Sequence, residues 1–141
     1  MKYLLDTDIC VFFLRGNDAV VSQIATINER DLAISIITLA ELQFGAYHSA
    51  HVADNLERVS FFNENTQLVS LTPEITTEYA RLKADLRRSG ATIADFDLLI
   101  AATAKRHNLV LVTNNIKHFD RIEGLTLANW VEEEQKEDAA K

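Results

Sequence analysis

One cysteine, one proline, four glycines and no long apolar run characterise this 141-residue chain by scarcity. The lone cysteine, Cys10, excludes an internal disulfide and a multi-cysteine zinc site, and it fits a reducing cytosol. With so little proline and glycine there is no flexible linker, collagen repeat or Pro-rich disordered tract. The chain therefore reads as a single domain over residues 1–131, followed by an acidic polar tail over 132–141 that is expected to fray. The apolar run from Ile9 to Leu14 is far below the ~20 residues that cross a bilayer, so no membrane partner is expected. Asp6 and Asp8 interrupt the apolar stretch that an export signal needs, which gives an expectation of a cytoplasmic protein.

Positive charge is scarce too. Lysine and arginine number 14 against 21 acids, a net charge of −7, which excludes a uniformly basic nucleic-acid coat. The distribution matters more than the sum. Glu132, Glu133, Glu134, Glu137 and Asp138 against Lys136 and Lys141 put −3 of the −7 into the last ten residues. Arg81, Lys83, Arg87 and Arg88 cluster on what reads as a solvated helix face, with a phosphate-tracking edge as the alternative.

What is present is ordinary for a globular domain: 48% hydrophobic and 25% charged residues. Short apolar runs alternate with stretches of helical period. Lys2–Asp6, Leu32–Ser35, Gln67–Leu71, Leu109–Thr113 and Leu125–Leu127 read as strands. Helices are predicted from Ile9 to Leu14, from Asn17 or Asp18 to about Glu29, and from Thr38 to about Tyr47. Others are predicted over Val52–Asn63, from Pro73 to Gly90, and over Ile93–His107. This alternation implies an α/β sandwich with a mostly parallel sheet. In such folds function gathers beyond the carboxyl ends of the strands, where strand order reverses. Asp6-Thr7-Asp8, Ser35 and Thr113-Asn114-Asn115 stand at those ends.

The carboxylates carry the chemistry, and each has a structural alternative. Asp6, Thr7 or Asp8 can cap the following helix, but one acid suffices for a cap and two are present. Thr38-x-x-Glu41 has capping-box spacing, and Glu41 lies in an apolar helix where an uncompensated charge is costly; a metal or a cap would each resolve that. Asp95 can pair with Thr92 in a second capping-box-like arrangement, whereas Asp97 has no such local task. Acids converging from three elements repel unless a cation offsets them. Oxygen ligands without His or Cys select Mg²⁺ or Mn²⁺, and such an ion activates water and stabilises charge on a phosphodiester. His48 and His51, at i, i+3, read as a solvated pair; His107 and His118 also have surface readings, and Cys10 reads as a core thiol.

At this point the blocks Leu4-Leu-Asp6-Thr-Asp-Ile, Ile36-Ile-Thr-Leu-Ala-Glu41-Leu-x-x-Gly45, Asp97-Leu-Leu-Ile-Ala-Ala-x-Ala104 and Leu111-Val-Thr-Asn-Asn115 with Phe119 become informative together. In this order and spacing they resemble the PIN-domain nucleases, and most closely the VapC-type toxins of bacterial toxin–antitoxin pairs. The ending Gly124-Leu-x-Leu-x-Asn-Trp130 is similar to that group as well. The resemblance implies a three-layer α/β/α fold around a sheet of about five strands. It also implies metal-dependent endoribonuclease activity on structured RNA such as tRNA. Its acidic positions fall on Asp6, Glu41 and Asp97, as metal ligands and catalytic groups, and its fourth on Asn115, where an amide replaces a carboxylate. Thr7 and Thr113 match hydroxyl positions that orient a ligand or water. The implied partners are a VapB-like antitoxin and a second copy of the chain. Two other functions remain open on the sequence: a haloacid-dehalogenase-like phosphatase using Asp6, and a PIN-fold binding module without activity.

Overall fold

The inner strands are apolar on both faces, and that sets the layering. A computed structural model describes residues 1–131, so the predicted tail lies outside the described residues. Strands β1 (Tyr3–Leu5), β2 (Leu32–Ser35), β3 (Gln67–Val69), β4 (Val110–Val112) and β5 (Leu127–Ala128) form one sheet in the order β3-β2-β1-β4-β5. Every pairing in it is parallel. Parallel neighbours need crossovers, and helices supply them. These are α1 (Thr7–Leu14), α2 (Asp18–Ala25), α3 (Ile36–Tyr47), α4 (Val52–Glu64), α5 (Pro73–Arg88), α6 (Asp95–Arg106) and α7 (Ile116–Phe119).

Successive strand residues point to opposite faces, so each strand feeds two cores. Leu4, Ala33 and Leu111 enter one core with Ile75, Leu82 and Leu86 of α5, Leu98 and Ala101 of α6, and Phe119 of α7. Leu5, Ile34 and Val112 enter the other with Ile9, Cys10, Val20, Leu42, Val59 and Phe62 from α1 to α4. The result is the expected three-layer α/β/α sandwich. The chain steps outward from β1 to β2 to β3, then returns to place β4 on the other side of β1. Strand order thus reverses between β1 and β4, the place where sheets of this kind form a ligand crevice.

Several boundaries differ from the sequence reading, each for a local reason. The helix predicted to reach Glu29 ends at Ala25, where the Thr26 hydroxyl donates to the Gln23 carbonyl at 2.7 Å. A short 3₁₀ turn over Glu29–Asp31, capped by Asn28, then leads straight into β2. β3 stops at Val69 rather than Leu71, and the last strand is displaced to Leu127–Ala128 by its register with Leu111 and Val112. α5 ends at Arg88, and the chain turns through Gly90 at φ +77°, with the Ala91 N–H reaching the Leu86 carbonyl at 2.8 Å. α6 begins at Asp95 rather than Ile93, and the one-turn α7 has no counterpart among the expected helices.

Leu111 is fully buried in the central strand pair. Leu111→Ala is expected to lower stability by about 2–5 kcal/mol in urea denaturation. Gly45 sits inside α3, and a methyl group there meets no atom within 4 Å. Gly45→Ala is expected to raise stability by roughly 0.4–1 kcal/mol on the same assay.

Candidate active site at the carboxyl ends of the strands

The β1–β4 ladder continues one residue past β1, with the Asp6 N–H donating to the Val112 carbonyl at 2.9 Å. That bond fixes Asp6 in the crevice. Asp6 is also the N-cap of α1: its Oδ1 accepts from the Thr7 N–H at 2.9 Å. Its Oδ2 accepts from the Thr113 hydroxyl, at the end of β4, at 2.8 Å. Capping and placement in the crevice are therefore not competing roles. Asp6 is only 6% exposed. Burial, followed by the charge of Asp8, pushes its carboxyl up to about 7, and Asp97 adds to the push; the bonds from Thr113 and Thr7 oppose it.

Asp8 joins this group from the first turn of α1. Its Oδ2 accepts from the Asn114 N–H at 3.0 Å, while its Oδ1 is buried with no hydrogen-bond partner. Burial raises its carboxyl as well; the Asn114 and Ile9 N–H groups and the Thr113 hydroxyl work against that, and the charge of Asp97 reinforces it. Asp6, Asp8 and Asp97 thus lie within electrostatic reach of one another. In the sequence Asp8 accompanies Asp6 as a possible cap and is not among the expected site residues. What distinguishes it is a buried oxygen, Oδ1, beside an Oδ2 that is bonded to a residue 106 positions away.

Glu41 reaches the site through Thr7. The Thr7 hydroxyl donates to Glu41 Oε1 at 2.7 Å and lies 3.0 Å from the Thr38 hydroxyl. This overturns the capping-box reading. The cap of α3 is Ser35, whose Oγ accepts from the Ile37 N–H at 3.0 Å, because the helix starts directly at the end of β2. Thr38 is therefore inside the helix and fully buried, and the Glu41 carboxylate faces Thr7 instead of the helix terminus.

Asp97 stands in the first turn of α6, with Oδ2 3.1 Å from His118 Nε2. His118 consequently departs from its surface reading. Asp95, two residues earlier, is not a cap partner of Thr92: Ala94 is the N-cap, and Asp95 instead accepts from Lys83 and Tyr79, each at 2.8 Å. The Asn115 N–H donates to Thr113 Oγ1 at 3.0 Å, which leaves its side chain exposed at the rim. The basic cluster on α5 is partly engaged locally, through Lys83–Asp95 and Arg88–Asp85. His48 is stacked on Phe44, and Cys10 is enclosed in the core.

The crevice thus gathers Asp6, Asp8 and Asp97, with Glu41 one threonine away and Asn115 at the edge. Among the described residues, no three His, Cys, Asp or Glu side chains already surround a single ion-sized point. The donors are nonetheless nearly all oxygens, and their mutual repulsion is of the kind that a hard cation relieves.

The sequence model of the PIN domain matches residues 3–125. The chain belongs to the PIN-domain family. Ribonuclease VapC2 of Rickettsia felis is 37% identical over 132 residues, covering 92% of this PIN domain and 98% of that protein. The tRNA(fMet)-specific endonuclease VapC of Shigella flexneri is 32% identical over 130 residues, covering 92% and 98%. Among solved structures, VapBC2 of Rickettsia felis bound to a promoter DNA fragment matches with a TM-score of 0.86 at 36% identity. That match covers 92% of this chain and 99% of the other. DNA-bound VapBC of Salmonella typhimurium matches with a TM-score of 0.87 at 30% identity, over 92% and 98%. Family membership leaves the phosphatase reading of Asp6 without support.

The raised Asp6 carboxyl has a consequence for stability. Between the ordinary value of 3.8 and about 7, folded Asp6 holds a proton that the unfolded chain has released. Stability therefore falls as pH rises through that window. In a chelating buffer, Asp6→Asn is expected to be more stable than the wild type at pH 8, by something on the order of a few kcal/mol. The gain should shrink towards pH 4, measured as urea midpoints at each pH. A gain that is the same at both ends would assign the effect to packing rather than charge.

Proposed function

We propose that this PIN domain is a VapC-type toxin, a Mg²⁺- or Mn²⁺-dependent endoribonuclease that a cognate VapB-like antitoxin silences. One observation carries the reading. Asp6, Asp8 and Asp97 lie within electrostatic reach of one another at the β1–β4 switch point, with a buried Asp8 oxygen that no well-formed hydrogen bond satisfies. Carboxylates that repel one another around a buried Asp6 fit a divalent cation, which would satisfy the Asp8 oxygen and favour the charged form of Asp6.

In this reading Asp6, Asp8 and Asp97 hold the ion, with Glu41 completing the site. When bound, the cation supplies Lewis-acid stabilisation of charge on a phosphodiester and makes water a usable nucleophile at neutral pH. The chain's own groups set the geometry. Thr113 holds Asp6 Oδ2, and Thr7 holds Glu41 Oε1, leaving the second Glu41 oxygen to orient water. Asn115 offers a neutral amide oxygen at the rim, so it adds a ligand or hydrogen-bond partner without adding charge. An RNA loop suits the crevice, since a splayed strand can bring its phosphate between acids that a duplex cannot reach. The relatives named as ribonuclease and tRNA(fMet)-specific endonuclease support this substrate class.

The antitoxin reading draws on the matched VapBC complexes and on the shape of the surface. A groove of about 770 Å³ beside α4 has Phe13, Leu14 and Phe61 along it and Asp54, Glu57 and Glu64 around it. A second cavity, sharing Leu14 and Arg58 with the first, opens beside Glu41. A partner segment with an apolar face and an arginine or lysine fits such a path. No helix among the described residues is long and apolar enough to cross a membrane. A homodimer working in the cytoplasm is the accompanying assembly and location.

Purified protein is expected to cleave bulk tRNA with Mg²⁺ or Mn²⁺ and to stop in EDTA. Asp97→Asn is expected to reduce the rate by at least about a hundredfold. Cleavage that survives both the chelator and the substitution would falsify the metal-dependent reading. Expression of the chain alone should arrest growth, with relief in Asp6→Asn; arrest without RNA cleavage would point to a binding module.

A further inference from the structure

Each site carboxylate is held differently. Asp6 accepts two hydrogen bonds, from Thr7 and Thr113, while Asp8 accepts one from Asn114 and Glu41 one from Thr7. Asp97 has only His118, at 3.1 Å, among the described residues. Its side chain is 35% exposed and sits on a helix whose N-cap, Ala94, offers no side-chain bond. Without His118, Asp97 would be the one acid of the group with nothing to fix its rotamer.

His118 is itself well anchored. It lies on α7, and the next residue, Phe119, is 1% exposed in the core beneath the sheet. The imidazole stands edge-on to the Phe119 ring, with centroids 5.1 Å apart and planes at 78°. Its side chain is only 25% exposed. α7 is therefore a short arm, pinned by one aromatic, that presents a ring nitrogen to a carboxylate on a different helix. Ring nitrogens that hold a ligating carboxylate tune a metal site from outside its ligand shell.

Building on the metal-site reading above, we infer that His118 is a positioning residue, which donates its Nε2–H to Asp97 Oδ2 and so fixes the carboxylate that would help hold the cation. The bond does not require an imidazolium, because a neutral ring with the proton on Nε2 donates equally well in geometry. His118 would thereby act on a bound ion through Asp97 and not as a ligand itself.

The test is calorimetric titration of the full chain with MnCl₂ in the absence of RNA, for the wild type, His118→Leu, His118→Gln and Asp97→Asn, together with melting curves in EDTA. His118→Leu keeps the volume but loses the donor, and its Mn²⁺ affinity is expected to fall about 10- to 100-fold. Its melting in EDTA should stay at the wild-type value. His118→Gln supplies an amide donor and is expected to recover most of the affinity. The inference is overturned if His118→Leu binds Mn²⁺ as the wild type does, or if His118→Gln is as weak as His118→Leu. A wild-type chain that takes up no Mn²⁺, or an Asp97→Asn chain that binds it normally, overturns the metal-site reading and this inference with it. Mn²⁺ uptake that depends on Asp97 but not on His118 removes the inference alone.

Discussion

Holding a carboxylate in a nearly dry crevice between two parallel strands is the constraint around which this molecule is organised. Asp6 occupies that place because the β1–β4 ladder runs through its own N–H, so the residue cannot swing out towards solvent. Two hydrogen bonds offset part of the desolvation, yet the carboxyl is still pushed up to about 7. A domain selected for stability alone would place an apolar or a neutral polar residue there. The cost is tolerable because the surrounding cores are complete: Leu4, Leu5, Leu111 and Val112 flank the site and are fully buried.

Threonines do much of the work of arranging the acids. Thr7 and Thr113 touch Glu41 and Asp6, and Thr38 stands behind Thr7. A hydroxyl donates one proton and accepts from another group, so it orients an anion without cancelling its charge. Thr113 shows both halves of this, taking the Asn115 N–H and giving to Asp6. Lysine or arginine in the same places would fix the carboxylates more strongly, but would also cancel their charge.

Much of this was legible in the sequence, and the limits of legibility have physical causes. The strands Leu32–Ser35 and Val110–Val112 could be read because a buried parallel strand is apolar without interruption. Asp6 stood out because an acid closing such a run is rare without a reason. Glu41 was ambiguous, since a capping glutamate and a site glutamate look alike at that spacing; only Ser35 taking the cap separates them. Asp97 could be selected but not its partner. A four-residue helix such as α7 has no periodicity to detect, and His118 meets Asp97 across 21 positions of chain. The hold of Asn114 on Asp8 Oδ2 likewise spans 106 positions and is set by folding.

The sheet closes at both borders on very short strands, three residues in β3 and two in β5. An open border normally offers a row of free amides and carbonyls on which another chain can build. Here each border exposes so few that little room remains for a foreign strand to dock and propagate. The fold thus offers little purchase for copies of the chain to polymerise edge to edge.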